Sequence, residues 1–270
     1  MTDREQPSRE EDIGGSNSYP RESLSAEPVN PYAAPPTMSA ALRRPFPPVG
    51  SVLAQGFAIV SKNWMPLAVI VAVFWIPMEV VSQIADYELL GPVSDAASWA
   101  IVLAEFVVDS LCTPAILFVA IGAAAGKSIT AVQAIGKATR VWLRFVLTYF
   151  LVAVVTSAGF IALVIPGLFL TVALSLTESV VVKENLSGFR AIGRSFHLAM
   201  QRFWPLAGIC FVLLLLLMLL WVPFVALVFT KPELDTWQTS LAFGLAIDFL
   251  DIYPTICFYL AYRQLAEVED

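Results

Sequence analysis

Six long apolar runs set the first limit on what this chain can fold into. They cover residues 64–84, 98–123, 142–164, 166–182, 203–229 and 240–262. A helix needs about 20 mostly apolar residues to cross a hydrocarbon core of about 30 Å, and these runs approach or exceed that length. Hydrophobic residues make up 58% of the chain and charged residues 14%, against about 25% charged residues in soluble domains. The sequence therefore predicts an all-α integral membrane protein with six transmembrane helices.

The first 48 residues differ in composition from everything that follows. They contain nine of the chain's 18 prolines and a low-complexity run from Asn30 to Pro36. Such a segment buries too little apolar surface to offset the entropy lost on ordering. It also lacks the basic start and apolar core of a signal peptide. We therefore predict a disordered Pro-rich cytoplasmic tail over residues 1–48 and a six-helix transmembrane domain over residues 49–266.

Lysine and arginine residues predict how the spans are oriented. Of the eleven that follow residue 48, seven fall in two connections, between the second and third spans and between the fourth and fifth: Lys127, Lys137, Arg140, Lys183, Arg190, Arg194 and Arg202. The remaining connections carry few, with Lys231 beside two acidic residues. Because basic loops stay on the cytoplasmic side of a membrane, both termini and these two connections are predicted to be cytoplasmic.

Three segments that precede spans combine an apolar face and a polar face at helical spacing. The clearest of them has five apolar residues on one side: Phe189, Ile192, Phe196, Met200 and Phe203. Similar segments begin near Val49 and Ile129. Such helices are typical of the membrane interface, where their basic residues contact anionic head groups. The candidate head-group contacts are Lys137, Arg140, Arg190, Arg194 and His197.

Short similarities within the chain predict a threefold internal repeat. The segment Ala191-Ile-Gly-Arg194 resembles Ala134-Ile-Gly-Lys137, and a proline recurs in the second span of each pair, at Pro114, Pro166 and Pro254. Each unit would consist of an amphipathic helix followed by two spans. Coincidence is the alternative explanation, because the matching segments are short.

The sequence contains no motif for an enzyme active site, a metal or a cofactor. The single histidine, His197, excludes a site with two histidine ligands, and it lies on the polar face of an interfacial helix. The cysteines Cys112, Cys210 and Cys257 are far apart within apolar runs, which predicts packing roles. The formal charge of −6 argues against a nucleic-acid partner. We expect a protein that is not an enzyme and that holds no metal or cofactor.

Acidic residues inside the spans are the strongest candidates for a functional site. Asp109, Asp248 and Asp251 lie deepest, and an ionisable group at mid-membrane costs about 2.5–3.5 kcal/mol on insertion scales. If the spans pack together, these carboxylates predict a cation or proton site. One alternative is that the aspartates are protonated, or hydrogen-bonded to neighbouring hydroxyls or to backbone groups freed by the prolines. The other is that the spans are shorter and leave the aspartates near water. Three glutamates nearer the span ends are expected to reach the head groups: Glu79, Glu105 and Glu178.

Several segments of the chain resemble one bacterial membrane family. They are Leu163-Val-Ile-Pro-Gly-Leu168, Val180-Val-Val-Lys-Glu184, Gly188-Phe-Arg-Ala-Ile-Gly-Arg-Ser195 and Phe258-Tyr-Leu-Ala-Tyr-Arg263. The family comprises the six-span membrane domain of glycerophosphoryl diester phosphodiesterases and related stand-alone inner-membrane proteins. The chain departs from it at Phe196 and Ala261, where tryptophan and aspartate are common. The resemblance implies a multi-pass protein of the bacterial inner membrane, and no catalytic phosphodiesterase domain is expected.

Three functions are compatible with these features. The first is a non-enzymatic membrane protein whose basic helices bind lipid head groups or a protein partner, with the tail recruiting a cytoplasmic protein. The second is a small transporter or channel that uses the three aspartates for a cation or proton. The third is a lipid-processing enzyme at the interface. We predict the first; the substrate, the partner and the oligomeric state do not follow from the sequence.

Overall fold

The computed structural model describes residues 46–89, 91–231 and 236–267. In this part of the chain the helices are α1 Val49–Lys62, α2 Trp64–Asp86, α3 Asp95–Ala124, α4 Ala131–Ala162, α5 Val164–Leu174, α6 Thr177–Glu184, α7 Phe189–Gln201, α8 Phe203–Thr230 and α9 Trp237–Ala266. Of the predicted Pro-rich tail, residues 1–45 lie outside the described residues.

Six helical stretches are long and apolar enough to cross a membrane, which confirms the predicted fold class. They are α2, α3, α4, α5 together with α6, α8 and α9. Helix α4 is longer than the predicted third span because the preceding amphipathic segment is its first part. The Thr130 hydroxyl accepts a hydrogen bond from the Gln133 amide, and the Gln133 side chain accepts one from the Thr130 amide. This capping box starts a helix that continues into the span, so of the three predicted amphipathic segments α1 and α7 are the two that form separate helices.

The two ends of the bundle differ in charge. One end carries α7, the turn between α3 and α4, and the last turn of α9, and we call it the basic end. It includes Lys62, Lys127, Lys183 and Arg263. The opposite end carries the end of α2, the starts of α3 and α9, and the end of α8.

The α4–α5 hairpin at the opposite end is tight because two glycines allow close contact. The helix breaks at Leu163, whose backbone is extended with φ −169° and ψ 151°. A Cβ atom on Gly159 would lie 3.2 Å from the Gly167 Cα atom, and one on Gly167 would overlap the Phe160 ring. Pro166 lies in the first turn of α5, where its missing N–H costs no helical hydrogen bond. Two antiparallel helices therefore replace one long helix.

The short helix α6 is surrounded by other helices. It packs against α3, α4, α7 and α9, and a turn at residues 175–176 separates it from α5. Thr177, Ser179 and Val180 are each at most 2% exposed. The half-buried carboxylates of α6, Glu178 and Glu184, are therefore held among packed helices.

Each amphipathic segment packs on the second span of the unit before it. Helix α1 packs on α9, the first part of α4 packs on α3, and α7 packs on α5 and α6. The Tyr253 hydroxyl donates to the Leu53 carbonyl (2.9 Å) between α9 and α1, and Lys137 Nζ lies 5.9 Å from the centroid of the Phe118 ring between α4 and α3. Because α1 packs on the last span, the three contacts form a closed ring.

Helix α8 packs on the rest of the protein less than the other spans do. It meets α9 at few positions, among them the Phe224 and Phe243 rings, whose centroids are 3.5 Å apart. Only 6% of the residues in its apolar 18-residue stretch are buried in the protein. An apolar helix with so little protein around it is suited to contact with lipid chains.

Candidate functional site

Helix α7 has three faces, where the sequence predicted two. Its large apolar residues, its polar residues and its small residues point in directions about 120° apart at helical spacing. The large apolar face is partly exposed: Phe189 is 76% exposed and Phe196 38%, whereas Ile192 is half-buried. Arg190 and His197 on the polar face are exposed as well. The third face is buried against the bundle and consists of Ala191, Ser195, Leu198 and Ala199.

The sequence signal for this third face is the spacing of small residues. Ala191, Ser195 and Ala199 recur every fourth residue, which places them on one side of a helix. Small residues at such spacing let helices approach closely within membranes. Neither hydropathy nor charge distinguishes these three residues, because they are small and uncharged.

Hydrogen bonds to neighbouring helices fix the rotation of α7. Ser195 Oγ donates to the Ala173 carbonyl of α5 at 3.1 Å, and Ser195 is fully buried. At the start of the helix Gly188 has a φ of 61°, and its N–H donates to Thr148 Oγ1 of α4 at 2.7 Å. The large apolar face therefore lies at the edge of the bundle, next to the exposed basic face, and its Phe196 ring contacts the Phe169 ring of α5, with centroids 6.1 Å apart.

The five candidate head-group contacts do not share one environment. Lys137, Arg140, Arg190 and His197 are exposed at the basic end. Arg194 is half-buried, and its Nε atom donates to Glu184 Oε2 of α6 at 3.1 Å. Arg194 therefore connects α7 to α6, which distinguishes it from the other four.

Glu184 is a junction between three helices. Besides Arg194 of α7, it accepts a hydrogen bond from the Tyr262 hydroxyl of α9 at 2.9 Å. A cavity of about 610 Å³ opens beside these groups and is also lined by Lys183, Arg263 and Glu267. Both carboxylates of this cavity are paired, Glu184 with Arg194 and Glu267 with Arg263. Only the family resemblance pointed to Glu184; its partners were not foreseen.

The three candidate aspartates have different surroundings. Asp109 Oδ2 accepts from the Tyr149 hydroxyl at 2.6 Å, and Oδ1 accepts from Thr113 Oγ1 at 3.2 Å. Hydrogen bonding to neighbouring hydroxyls, one of the alternatives to an ion site, is therefore present at Asp109. Asp248 Oδ2 is buried and has no hydrogen-bond partner in the described chain. Asp251 is exposed on α9.

Other carboxylates lie close to these aspartates. Glu79 of α2 packs against Gly244 of α9, one helical turn before Asp248, and accepts from Gln83 Nε2 at 2.9 Å. Glu178, which was expected at the head groups, instead interacts electrostatically with Asp109. Proximity to Lys183 in the sequence does not reveal this position, because α6 is packed among α3, α4, α7 and α9. Within the residues that the structure describes, no three His, Cys, Asp or Glu side chains are placed to hold a metal ion.

Comparison with known proteins places the chain in a family. The model of the uncharacterised protein family UPF0259 matches residues 95–256, which is more than half of the chain, so the chain belongs to this family. No curated protein and no solved structure matched it. The match covers the segments of α5, α6 and α7 that carried the resemblance to the phosphodiesterase membrane domain. It supports only the uncharacterised family, and the relation to phosphodiesterases stays a prediction.

Proposed function

We propose that this member of UPF0259 is a non-enzymatic protein of the bacterial inner membrane that binds anionic lipid head groups at its basic end. That end would face the cytoplasm, and the tail would recruit a cytoplasmic protein. The observation that carries the proposal is the fixed rotation of α7. Its large apolar face can enter the acyl-chain boundary while Arg190 and His197 stay at the level of the head groups.

Exposed aromatic side chains support the same position of the membrane boundary. Trp204 near the start of α8 is 82% exposed, and Trp64 at the start of α2 is also exposed. Both lie at the basic end, beside α7 and α1. Tryptophan is enriched where a membrane protein meets the head groups, because its ring is apolar and its N–H is polar. A membrane boundary at the depth of these two rings would also place α7 in the interface.

The first test removes charge from the exposed basic face. Lys137→Gln, Arg140→Gln and Arg190→Gln are combined in the full chain, reconstituted in vesicles with spin-labelled phosphatidylglycerol or phosphatidylcholine. Each basic residue near an anionic surface contributes about 1 kcal/mol. We expect the wild-type preference for phosphatidylglycerol to fall at least about threefold. This is less than three full contributions would give, because several lipids share the contacts.

Two controls accompany this measurement. Lys231→Gln removes an exposed charge at the opposite end and should leave the lipid preference unchanged. Raising the salt concentration should weaken the wild-type preference, since surface charges are screened. An unchanged preference in the triple variant would contradict head-group binding by this face.

A second candidate function rests on Asp248. A buried carboxylate oxygen without a partner is costly, and Glu79, Asp109 and Asp251 all interact electrostatically with this aspartate. A cation or proton would neutralise that site, as in a small transporter or channel. If so, Asp248→Asn should abolish flux of protons, Na⁺ or K⁺ in proteoliposomes, and Asp86→Asn at the exposed end of α2 should not. Wild-type flux no greater than that of protein-free liposomes would refute this candidate.

A further inference from the structure

A second cavity at the basic end lies between α1, α9 and the α3–α4 turn. Its volume is about 390 Å³, within the range of small-ligand sites. Three cationic residues line it, each from a different element: Lys62 at the end of α1, Lys127 in the turn and Arg263 in α9. None of its lining residues is acidic. Arg263 is paired with Glu267 on the side of the larger cavity, so Lys62 and Lys127 carry the unbalanced positive charge of this one.

This cavity differs in charge from the larger one on the other side of Arg263. The larger cavity contains Glu184 and Glu267, and each carboxylate pairs with an arginine. Its charges therefore largely neutralise one another within the protein. Lys62 and Lys127 have no such carboxylate beside them in the smaller cavity. An anion from outside the chain would complete their electrostatic environment.

The walls of the smaller cavity are held by local hydrogen bonds. Asn63 closes α1 by donating from its side chain to the Ile59 carbonyl at 2.9 Å. The Lys127 amide donates to the Gly122 carbonyl at 2.8 Å, next to Gly126 with a φ of 69°. Arg263 Nη1 donates to the Ala124 carbonyl at 3.3 Å, which joins α9 to the end of α3. The Tyr253 hydroxyl bond to the Leu53 carbonyl joins α9 to α1 as well, so the three cations extend from elements that are all tied to α9.

We infer that this cavity binds a phosphate-bearing ligand through Lys62, Lys127 and Arg263. Arginine and lysine form strong charge-assisted hydrogen bonds with phosphate oxygens. Neutral groups of Asn63 and Ser128, which also line the cavity, provide further donors. The phosphate would come from an anionic phospholipid head group or from a soluble phosphate ester. This is a site of defined stoichiometry, separate from the exposed face to which the proposed function assigns head-group contacts.

The test combines Lys62→Gln with Lys127→Gln in the full chain. Both side chains are exposed, so folding should be retained, and the melting temperature checks this. Native mass spectrometry of protein released from nanodiscs compares how much phosphatidylglycerol and how much phosphatidylcholine stay bound to the protein. Thermal shifts with inorganic phosphate and glycerol 3-phosphate measure soluble ligands. The control is Lys231→Gln at the opposite end, and Lys62→Arg with Lys127→Arg restores the charge.

We expect the wild type to retain one phosphate-bearing molecule and the glutamine variant to bind it at least tenfold more weakly, with binding restored by arginine. Loss confined to phosphatidylglycerol identifies a lipid, and loss of stabilisation by the soluble phosphates identifies a free ester. The inference is overturned if the glutamine variant binds like the wild type, or if the wild type binds neither class. The variant leaves the exposed face of α7 intact, so its outcome is independent of the lipid-preference test.

Discussion

Ala191→Leu is expected to destabilise the protein strongly, because it places a large side chain on the buried small-residue face of α7. Ala191 is fully buried where α7 packs against the bundle. Overpacking of a well-filled interior costs about 1–3 kcal/mol. For a chain of this size that corresponds to a fall in melting temperature of several degrees, about 2–4 °C per kcal/mol. Differential scanning fluorimetry in detergent measures it.

The matched control places the same side chain two residues further along the helix. A Cβ atom on Gly193 would have no heavy atom within 4 Å, so Gly193→Leu should not lower the melting temperature. Hydrogen exchange adds a local measurement, since amides of α7 should exchange faster in Ala191→Leu while those of α3 stay protected. Equal melting temperatures for the two variants would show that α7 does not pack on the bundle through this face.

Gly56→Leu is the second change for which a large effect is expected, since it acts where the ring of amphipathic segments closes. A Cβ atom on Gly56 of α1 would lie 2.7 Å from Cys257 Sγ and 3.2 Å from the Tyr253 ring of α9. A leucine side chain requires α1 to move away, which breaks the hydrogen bond from Tyr253 to the Leu53 carbonyl. We expect the free energy of unfolding to fall by about 3 kcal/mol. The better helix propensity of leucine offsets part of the overpacking cost and is included in this value.

Cys257 provides a local measurement of this displacement. Its thiol is buried beside Gly56, so alkylation in the wild type should be slow. In Gly56→Leu the rate at Cys257 should rise, measured by peptide mass spectrometry, while buried Cys112 stays protected. Gly50→Leu is the control, because a Cβ atom there would meet no heavy atom within 4 Å. Unchanged reactivity and stability would mean that α1 does not rest on α9 as described.

The candidate sites were less predictable than the spans, and Arg190 and Arg194 show why. The two residues are one turn apart on the same polar face, and by sequence both were head-group candidates. Only Arg194 lies opposite a carboxylate of another helix, Glu184, which is ten residues away along the chain. Its partner is set by how α6 packs on α7, and helical spacing within one segment contains no information on that packing.

Glu178 and Asp248 illustrate the same limit inside the bundle. Glu178 lies only five residues before Lys183, yet α6 holds it half-buried among packed helices, where it interacts electrostatically with Asp109. The buried oxygen of Asp248 depends on α9 packing next to Glu79 of α2, more than 160 residues away in sequence. Hydropathy predicts that such carboxylates are costly, but their partners are a property of the packed helices.

By itself the sequence determined the six spans, the helical fold class and the polar faces of the amphipathic helices. These follow from apolar length and helical periodicity, which act over neighbouring residues because backbone groups in lipid must be satisfied within each helix. The tertiary structure decided the buried small-residue face of α7, the closed ring of contacts, the Arg194–Glu184 pair and the basic cavity at Lys62, Lys127 and Arg263. Each of these depends on which helices meet and at what rotation, and shape complementarity between distant segments sets both.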